Sequence, residues 1–320
     1  MKRIGIITSG GDAPGMNAAI RAAVRTGIYY EMEMYGIERG YEGLLDGDIK
    51  EMTVSSVSDI LHRGGTILRT ARSERFMTPE GLKRACGMLE NFEIDSLVVI
   101  GGDGTFKGAL RLGGNGFTVM GVPGTIDNDL GYTDFTIGFD TAVNTVLSAI
   151  SNIRDTSSSH ERTTIIEVMG RRCGDIALYA GLTGGAEHIL IPEEEDNINA
   201  LCRKVIQGRK RGKRHSIIIK AEGVEMPSQE LAEVIKERTG LETKIVVLAY
   251  IQRGGAPTAR DRMLASRMAH KAVELIKDGS GSRAIGIRGN EIIDCGIAEA
   301  LQVKREQDLG MIRMANILSI

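Results

Sequence analysis

Apolar residues recur along this chain in short continuous runs that alternate with longer stretches of helical spacing. Most of the short runs end close to a glycine, a pattern typical of strands that are buried on both faces of a parallel sheet. The runs predict strands at Arg3–Thr8, Glu33–Ile37, Ser96–Ile100, Phe117–Val122, Thr163–Val168, His188–Ile191, Ser216–Ala221, Lys244–Leu248 and Arg283–Ile287. Their alternation with helices predicts an α/β fold in which mainly parallel sheets are flanked by helices.

Two of the intervening stretches show the helical spacing most clearly. Apolar residues from Phe139 onwards mark one face of a helix that is expected to run to about Asp155. A second helix is predicted to begin at a capping box formed by Thr258 and Asp261, and to end near Gly279. The chain of 320 residues exceeds the size at which one core usually keeps growing. We therefore expect two similar-layered α/β domains, interleaved in sequence because no linker separates them.

Composition and charge are those of an ordinary globular protein. Hydrophobic residues make up 42% and charged residues 26%, and no apolar run approaches the roughly 20 residues needed to cross a membrane. The 40 basic and 42 acidic residues give a net charge of −2, which argues against nucleic acid or acidic membranes as partners. The four cysteines lie far apart without a C-x-x-C pair, and the N-terminal apolar stretch is too short for a signal peptide. We expect a cytoplasmic protein with free thiols.

Glycine-rich loops follow several of the predicted strands. They are TSGGDAPGMN at 8–17, GGDGT at 101–105, PGTIDND at 123–129 and QRGGAPTARDR at 252–262. Glycines between a strand and a helix let backbone amides reach phosphate oxygens. One such loop is about as often a simple turn, and the carboxylate of GGDGT can instead cap the following helix. Arginines in neighbouring strand-end loops favour a phosphorylated ligand, because guanidinium groups bind phosphate bidentately.

The loop PGTIDND places Asp127 and Asp129 two residues apart. In an extended segment their carboxylates would share one face. Two carboxylates at the end of a strand suit Mg²⁺ binding, proton acceptance, or both. For an isolated IDND the alternative is an Asx-rich turn that caps its own backbone.

The ordered set of segments resembles bacterial 6-phosphofructokinases. The matching segments are TSGGDAPGMNAAIR, RGGT with TAR, GGDGT, PGTIDNDL, IRDTSSSHERT, VMGR, AEGV and QRGG, which occur in the family's order across essentially the whole chain. The resemblance implies transfer of the terminal phosphoryl group of ATP to the 1-hydroxyl of fructose 6-phosphate, with Mg²⁺ as cofactor. It also implies an ATP-binding domain, 1–138 plus 252–301, and a sugar-phosphate and effector domain, 139–251 plus 302–320.

The same resemblance assigns residues to each ligand. The implied catalytic residues are Asp127, which accepts the hydroxyl proton, and Arg72, Arg171 and Thr125; the implied metal ligands are Asp103 and Asp129. The ATP residues are Gly11, Tyr41, Arg72, Ser73, Phe76, Gly102, Asp103, Gly104, Thr105 and Gly108. The fructose 6-phosphate residues are Thr125, Ile126, Asp127, Arg162, Met169, Gly170, Arg171, Glu222, Lys244, Tyr250 and Arg253. The residues for the effectors ADP and phosphoenolpyruvate are Arg21, Arg25, Asp59, Arg154, Gly185, Glu187, Arg211, Lys213, Arg214 and His215.

The resemblance further implies a homotetramer with shared active sites, because the residue matching Arg162 reaches in from a neighbouring subunit. Three positions depart from the family pattern: an expected histidine is Tyr250, an expected arginine is Lys244, and an arginine of the effector site is Val54. A phenol carries no positive charge and a lysine lacks the guanidinium fork. We therefore expect weaker binding of the sugar phosphate and weaker effector regulation than in typical members.

The choice of phosphoryl donor depends on two glycines. Related pyrophosphate-dependent enzymes resemble GGDD and PKTIDND where this chain has Gly104 and Gly124. A carboxylate at position 104 would crowd and repel the α-phosphate of ATP, so we expect ATP as the donor. The alternatives are pyrophosphate as donor, another sugar phosphate such as tagatose 6-phosphate, or a non-catalytic sensor of nucleotide and sugar phosphate. The intact carboxylates of GGDGT and IDND argue against the sensor.

Overall fold

The computed structural model describes Lys2–Glu195 and Asn197–Ser319. The strands are β1 Arg3–Thr8, β2 Glu33–Ile37, β3 Ile49–Glu51, β4 Ser96–Gly101, β5 Thr118–Pro123, β6 Thr163–Val168, β7 His188–Leu190, β8 Ser216–Ala221, β9 Thr243–Val247, β10 Arg283–Arg288 and β11 Glu291–Gly296. The helices are α1 Met16–Tyr29, α2 Gly40–Asp46, α3 Pro79–Asn91, α4 Asp103–Gly113, α5 Phe139–His160, α6 Asp175–Thr183, α7 Ile198–Lys210, α8 Ser228–Thr239, α9 Ala259–Lys277, α10 Ile297–Ala300 and α11 Leu309–Leu318. Short 3₁₀ helices cover Ser55–Val57, Arg75–Met77 and Ala249–Arg253.

The chain forms two compact units, each built from separate segments. The first unit contains the chain up to Ile126, then Leu130–Thr141 and Arg253–Arg305. The second unit contains Asp127–Asp129, Ala142–Gln252 and the chain from Glu306 onwards. The IDND carboxylates therefore group with the second unit, whereas the sequence had suggested the first domain. The assignment of one unit to ATP and the other to the sugar phosphate stays a prediction.

The sheet of the first unit has the order β11-β10-β5-β4-β1-β2-β3. The interior strands run parallel, and β3 and β11 are antiparallel additions at the two edges. Thr8 pairs with Ile100, and Gly101 pairs with Pro123, so β1, β4 and β5 end side by side. The glycine-rich loops that follow these three strands consequently start at the same edge of the sheet.

The sheet of the second unit has the order β7-β8-β6-β9, and all of its strands are parallel. Val168 at the end of β6 pairs with Ala221 at the end of β8, and Glu167 pairs with Val247 of β9. The loops that begin at Met169 and Glu222 thus leave adjacent strands at the carboxyl edge, where ligands of parallel sheets bind.

The predicted strands are all present, with ends shifted by no more than one residue. The strands β3 and β11 were not predicted. Helix α5 continues to His160, beyond the expected end near Asp155, because its last turn is polar and lacks the apolar face used to predict it. The predicted N-cap of α9 is confirmed, since Thr258 Oγ1 accepts a hydrogen bond from Asp261 N at 3.2 Å. The reciprocal half of the capping box is not formed, because Thr258 N donates to Thr141 Oγ1 and the Asp261 carboxylate accepts from Gly138 N and Thr141 N. Within the described residues, no helix combines the length and the apolar character that crossing a membrane requires.

Candidate active site

The glycine-rich loops of the first unit contact one another at the ends of β1, β4 and β5. Thr105 Oγ1 donates to Ser9 O at 2.9 Å, which ties the GGDGT loop to the first loop. A Cβ built on Gly102 would lie 3.6 Å from Thr125 Cβ, so the second and third loops are also adjacent. Helix α4 begins immediately after Gly102, and its free amides and partial positive charge favour phosphate at this edge.

The two glycines that bear on donor choice differ in their surroundings. A Cβ built on Gly104 would meet no atom within 4 Å outside its own turn of helix, in the part of the chain that the structure describes. A Cβ on Gly124 would lie 3.0 Å from Ile100 Cγ2 and 3.2 Å from Met16 Cε. Packing alone therefore accounts for glycine at 124, which weakens its value as an indicator of ATP. Nothing in the fold requires glycine at 104, so that position still bears on the ligand.

The segment that carries Arg72 lies over the first glycine-rich loop. Thr70 Oγ1 donates to Gly10 O at 2.7 Å, and Arg72, two residues further on, is exposed. The next side chain, Ser73, donates its hydroxyl hydrogen to the carboxylate of Glu42. Arg72 is thus placed beside the loop as a cation that is accessible to a phosphate.

Asn17 holds the start of this segment and was not singled out by the sequence. Its Oδ1 accepts from Ile67 N at 2.8 Å, and its Nδ2 donates to Arg63 O and Gly64 O at 3.1 and 3.2 Å. The side chain is almost fully buried. An amide side chain at the start of the predicted helix, directly after a glycine-rich loop, is the sequence signal that could have identified it.

Tyr41 and Phe76, which the resemblance assigned to ATP, are buried in the first unit. Their rings stack at 4.2 Å with an interplanar angle of 8°, and burial raises the pKa of the Tyr41 hydroxyl far above its usual range. Tyr41 Oη donates to Thr105 O at 2.7 Å, and a Cβ on Gly108 would lie 2.6 Å from the Tyr41 ring. The structure thus places these residues as supports of the GGDGT loop.

Arg253, which the resemblance assigned to the sugar phosphate, lies in the first unit. Its Nη1 donates to Asp12 O at 3.2 Å. A Cβ on Gly11 would lie only 2.5 Å from the same nitrogen, so glycine at this position allows the guanidinium to approach. The structure thus brings an arginine from 241 positions further along the chain to the first glycine-rich loop.

Asp103 is the first residue of α4 and the candidate metal ligand of the first unit. Its side chain is 41% exposed and Lys107 Nζ lies 2.6 Å from its Oδ2. Among the described residues there is no group of three or more His, Cys, Asp or Glu side chains arranged to hold a metal. Mg²⁺ bound with a nucleotide usually takes only one or two carboxylates, with phosphates and waters as its other ligands. An accessible carboxylate at the GGDGT loop fits that mode of binding.

The second unit brings Arg171 to Asp127. Arg171 Nε lies 3.2 Å from Asp127 Oδ2, and the Asp127 side chain is only 1% exposed. Gly170 has a φ of 134° and Arg171 a φ of 54°, and a Cβ on Gly170 would lie 2.4 Å from Cys173 O, so this tight turn requires glycine. Arg171 N donates to Glu222 Oε1 at 2.8 Å. The turn therefore connects Arg171 with two other predicted sugar-phosphate residues, Asp127 and Glu222.

The IDND segment is not extended, so the expectation that its carboxylates share one face on that ground is wrong. Asn128 has a φ of 54°, in the left-handed region that asparagine tolerates better than most residues. Its side chain is buried and its Nδ2 donates to Asp175 Oδ2 at 2.7 Å. Sequence reasoning missed Asn128 and Asp175 because it treated the asparagine as a spacer between two carboxylates.

The remaining sugar-phosphate candidates are distributed over both units. Thr125 and Ile126 are buried in the first unit, where Thr136 Oγ1 donates to Thr125 O at 2.6 Å. In the second unit, Met169 N donates to Gln252 Oε1 at 3.2 Å. The predicted ligand contacts of these residues stay predictions.

Arg162 and Lys244 meet at the outer edge of the sheet of the second unit. Arg162 Nε lies 3.1 Å and Lys244 Nζ 2.7 Å from the carboxylate oxygens of Glu242, and their charges lower the pKa of that carboxyl, with the Lys244 hydrogen bond as the largest cause. Strand β9 is an edge strand, and Tyr250 just beyond it is 80% exposed. The two cations thus lie at the starts of β6 and β9, and the phenol follows the opposite end of β9.

Part of the predicted effector set comes together in the second unit. Lys213 and Glu187 form an ion pair, Arg154 Nη2 donates to Gly185 O at 3.2 Å, and burial lowers the pKa of His215. Arg211 and Arg214 are exposed nearby in sequence. The other predicted members belong to the first unit: Arg21, Arg25 and Asp59.

Comparison with known proteins assigns the chain to one family. The phosphofructokinase family model matches residues 3–276. An ATP-dependent 6-phosphofructokinase from Alkaliphilus metalliredigens is 59% identical over 320 residues, with 100% of both chains covered. One from Clostridium botulinum is 58% identical over 319 residues, again with 100% of both covered. The structure of phosphofructokinase from Saccharomyces cerevisiae matches with a TM-score of 0.88 and 35% identity over 100% of this chain and 48% of the yeast chain, so this chain spans about half of that length. The chain belongs to the phosphofructokinase family.

Proposed function

We propose that this protein transfers the terminal phosphoryl group of ATP to the 1-hydroxyl of fructose 6-phosphate, giving fructose 1,6-bisphosphate in glycolysis. Two relatives that match this chain over its whole length are named ATP-dependent 6-phosphofructokinase, which supports this reaction. The observation that carries the proposal is the contact of Arg171 with the buried carboxylate of Asp127. It supplies a proton acceptor and a fixed positive charge at one point of the second unit.

In the proposed reaction, Asp127 accepts the proton of the 1-hydroxyl as that oxygen attacks the terminal phosphorus of ATP. The bond from this phosphorus to the bridging oxygen breaks, and ADP leaves. Arg72 and Arg171 stabilise the charge that spreads over the phosphoryl oxygens. Asp103 and Asp129 are the proposed ligands of Mg²⁺, which when bound neutralises charge on the donor phosphates.

ATP is the proposed donor because of the space at Gly104. The fold leaves the position open, with no internal reason for glycine. A carboxylate there would stand among the phosphate-binding amides and repel the α-phosphate of ATP. The names of the full-length relatives support the same donor.

The proposal is tested by an assay of sugar bisphosphate formation with each donor and each sugar phosphate. Wild type should turn over with ATP, and Asp127→Ser should lose about 10²–10⁴-fold in kcat, the range for removal of a general base. Asp127→Ser should still bind ATP with an unchanged Kd. Preferential turnover with pyrophosphate or tagatose 6-phosphate would replace the proposed substrates, and little loss of kcat in Asp127→Ser would remove the assigned base. Nucleotide binding without any turnover would indicate a sensor.

We also propose that the active protein is a homotetramer in which Arg162 and Lys244 serve the sugar-phosphate site of a neighbouring subunit. Arg162 directly precedes β6 and Lys244 lies near the start of the edge strand β9, whereas the turn that holds Asp127 follows the opposite end of β6, and this separation supports the arrangement. Mixing inactive Asp127→Ser with inactive Arg162→Ala subunits should restore part of the activity, because some sites then receive both intact residues. Absence of any restored activity in verified mixed tetramers would contradict the shared site.

Regulation by ADP and phosphoenolpyruvate is proposed for the cluster around Glu187 and Lys213. Val54 is 48% exposed and offers no charge where the family pattern has arginine. The response to ADP should therefore be weak and should increase in Val54→Arg, measured as the shift in half-saturation for fructose 6-phosphate. All four cysteines are free thiols, which supports the proposed cytoplasmic location.

A further inference from the structure

The segment from Arg171 to Asp175 makes repeated contacts with the loop that carries Asp127. Besides the Arg171–Asp127 ion pair, Asn128 Nδ2 donates to Asp175 Oδ2 at 2.7 Å. Cys173 Sγ lies 3.9 Å from Asn128 O. Both Asn128 and Asp175 are buried, with exposures of 0% and 3%. The loop is thus attached through a side chain and through its backbone.

Asp175 is itself held firmly at the start of α6. The amide that precedes it, Gly174 N, donates to Glu193 Oε1 at 2.8 Å. Gln307 Nε2 donates to the same carboxylate oxygen at 2.6 Å. The first turn of α6 is therefore also tied to Glu193, so that it can serve as a rigid support.

We infer that Asp175 is a positioning residue for phosphoryl transfer: its carboxylate, through Asn128, holds Asp127 where it can accept the proton of the substrate hydroxyl. The inference rests on the proposed role of Asp127 as the proton acceptor. Asn128 adopts a left-handed backbone conformation, which asparagine tolerates better than most residues but which still costs free energy and gains from support. The hydrogen bond to a buried carboxylate supplies that support, because charge-assisted bonds are the stronger ones.

A purely structural role for Asp175 is the competing explanation. An aspartate in the first turn of a helix interacts favourably with the helix dipole wherever its side chain lies. Such a role predicts a loss of stability and no selective loss of turnover. A positioning role predicts a lower kcat with an unchanged KM for ATP, since displacement of a reacting group by about 1 Å can reduce the rate by about 10²-fold.

The experiment measures kcat, both KM values and thermal unfolding in Asp175→Ala, Asp175→Asn and Asn128→Gly. Asp175→Ala and Asn128→Gly should each lower kcat by about 10–100-fold while the KM for ATP changes by less than about twofold. Asp175→Asn keeps an oxygen that can accept the Asn128 hydrogen bond, so it should restore kcat to within about fivefold of wild type. The double variant Asn128→Gly/Asp175→Ala should have a kcat only slightly lower than that of either single variant, because both substitutions remove the same hydrogen bond.

The control is Ser157→Ala, which removes a different buried hydrogen bond of the second unit, the one between the hydroxyl oxygens of Ser157 and Thr164, which lie 2.7 Å apart. It should lower stability and leave kcat unchanged. Asn128→Gly keeps access to the left-handed backbone, so a wild-type kcat in this variant would overturn the inference. An equal loss of kcat in Ser157→Ala would also overturn it, since the effect would then be general. A wild-type kcat in Asp127→Ser would contradict the proposed function of Asp127 as the base. An inactive Asp127→Ser together with a fully active Asn128→Gly would contradict only the positioning role of Asp175.

Discussion

Lys107 Nζ lies 2.6 Å from Asp103 Oδ2, one helical turn away on α4. The ammonium group of Lys107 thus contacts the carboxylate that we propose as a ligand of Mg²⁺. A metal ion at Asp103 must therefore compete with Lys107 for the same oxygen. Because the pair is largely exposed, its contribution is small, about 0.3–0.5 kcal/mol for an i,i+4 pair.

Lys107→Gln should lower the Mg²⁺ concentration needed for half-maximal activity by about twofold, the factor that corresponds to the energy of such a pair. The measurement is a Mg²⁺ titration at saturating ATP. Lys83→Gln on α3 is the matched control, because Lys83 is exposed and forms no ion pair with any residue that the structure describes. A higher Mg²⁺ requirement in Lys107→Gln would mean that the lysine assists binding of the metal nucleotide.

Substitution of the two loop glycines should separate ligand effects from packing effects. Gly104→Asp should leave the melting temperature close to wild type, because the space is open, and should raise the KM for ATP by about 100-fold through repulsion of the phosphates. Gly124→Ala should instead lower the melting temperature, since its Cβ would press on Ile100 at 3.0 Å. Unchanged ATP kinetics in Gly104→Asp would remove the main structural support for ATP as donor.

Lys244→Arg should strengthen binding of the sugar phosphate. Lys244 now pairs with Glu242 as a point charge, whereas a guanidinium can bind a phosphate through two parallel hydrogen bonds. We expect the KM for fructose 6-phosphate to fall by about three- to tenfold, with the KM for ATP unchanged. The same titration in wild type is informative, because an unusually low KM would contradict the expected weakness of this site.

The buried carboxyl of Asp261 should make folding sensitive to pH. It accepts from Gly138 N at 3.0 Å and Thr141 N at 2.8 Å, yet burial raises its pKa from 3.8 to about 6. A raised carboxyl pKa adds stability that is fully present below pH 3.8 and is lost as the pH rises through about 6. The free energy of unfolding should therefore contain a component of up to about 3 kcal/mol that decreases across this window. Asp261→Asn should lack that component in urea titrations between pH 4 and pH 7.

The buried imidazole of His188 should make the free energy of unfolding increase with rising pH, opposite to the effect of Asp261. Burial, with a smaller contribution from the charge of Lys204, lowers its pKa from 6.5 to about 4. Its contribution to stability is present above pH 6.5 and is lost as the pH falls through about 4. His188→Gln should therefore show a free energy of unfolding that falls more steeply with rising pH than that of wild type. Identical pH profiles in both proteins would contradict this assignment.

Most of the parallel strands could be predicted because they are apolar runs buried on both faces, and the partly exposed edge strand β9 was found from its apolar run alone. The strands β3 and β11 were not predicted because they are poorly buried. Lys50 and Glu51 of β3 are exposed, and β11 is only partly buried. Edge strands of this kind carry little periodic signal. Their position depends on pairing with β2 and β10, which local sequence does not encode.

The sequence predicted which residues belong to the candidate site much better than it predicted how they are arranged in space. The glycine-rich loops could be recognised because they follow predicted strands, and the resemblance implied their roles. The left-handed turn at Asn128, its bond to Asp175 and the burial of Tyr41 depend on contacts between residues far apart in sequence. The approach of Arg253 to the first loop has the same origin, since 241 residues separate it from Asp12.

The position of β10 in its sheet has a consequence for biosynthesis. It lies beside β5, and Val119 N donates to Ser282 Oγ across 163 residues of sequence. The four strands of the other sheet follow one another without interruption by the first unit, from Thr163 to Val247. During synthesis that sheet can therefore close first, while β5 remains an unpaired edge until Arg283–Arg288 has left the ribosome. In this interval β5 is paired with β4 on one side only and its other edge is open, so this is the stage at which the nascent chain should depend most on chaperones and be most prone to aggregation.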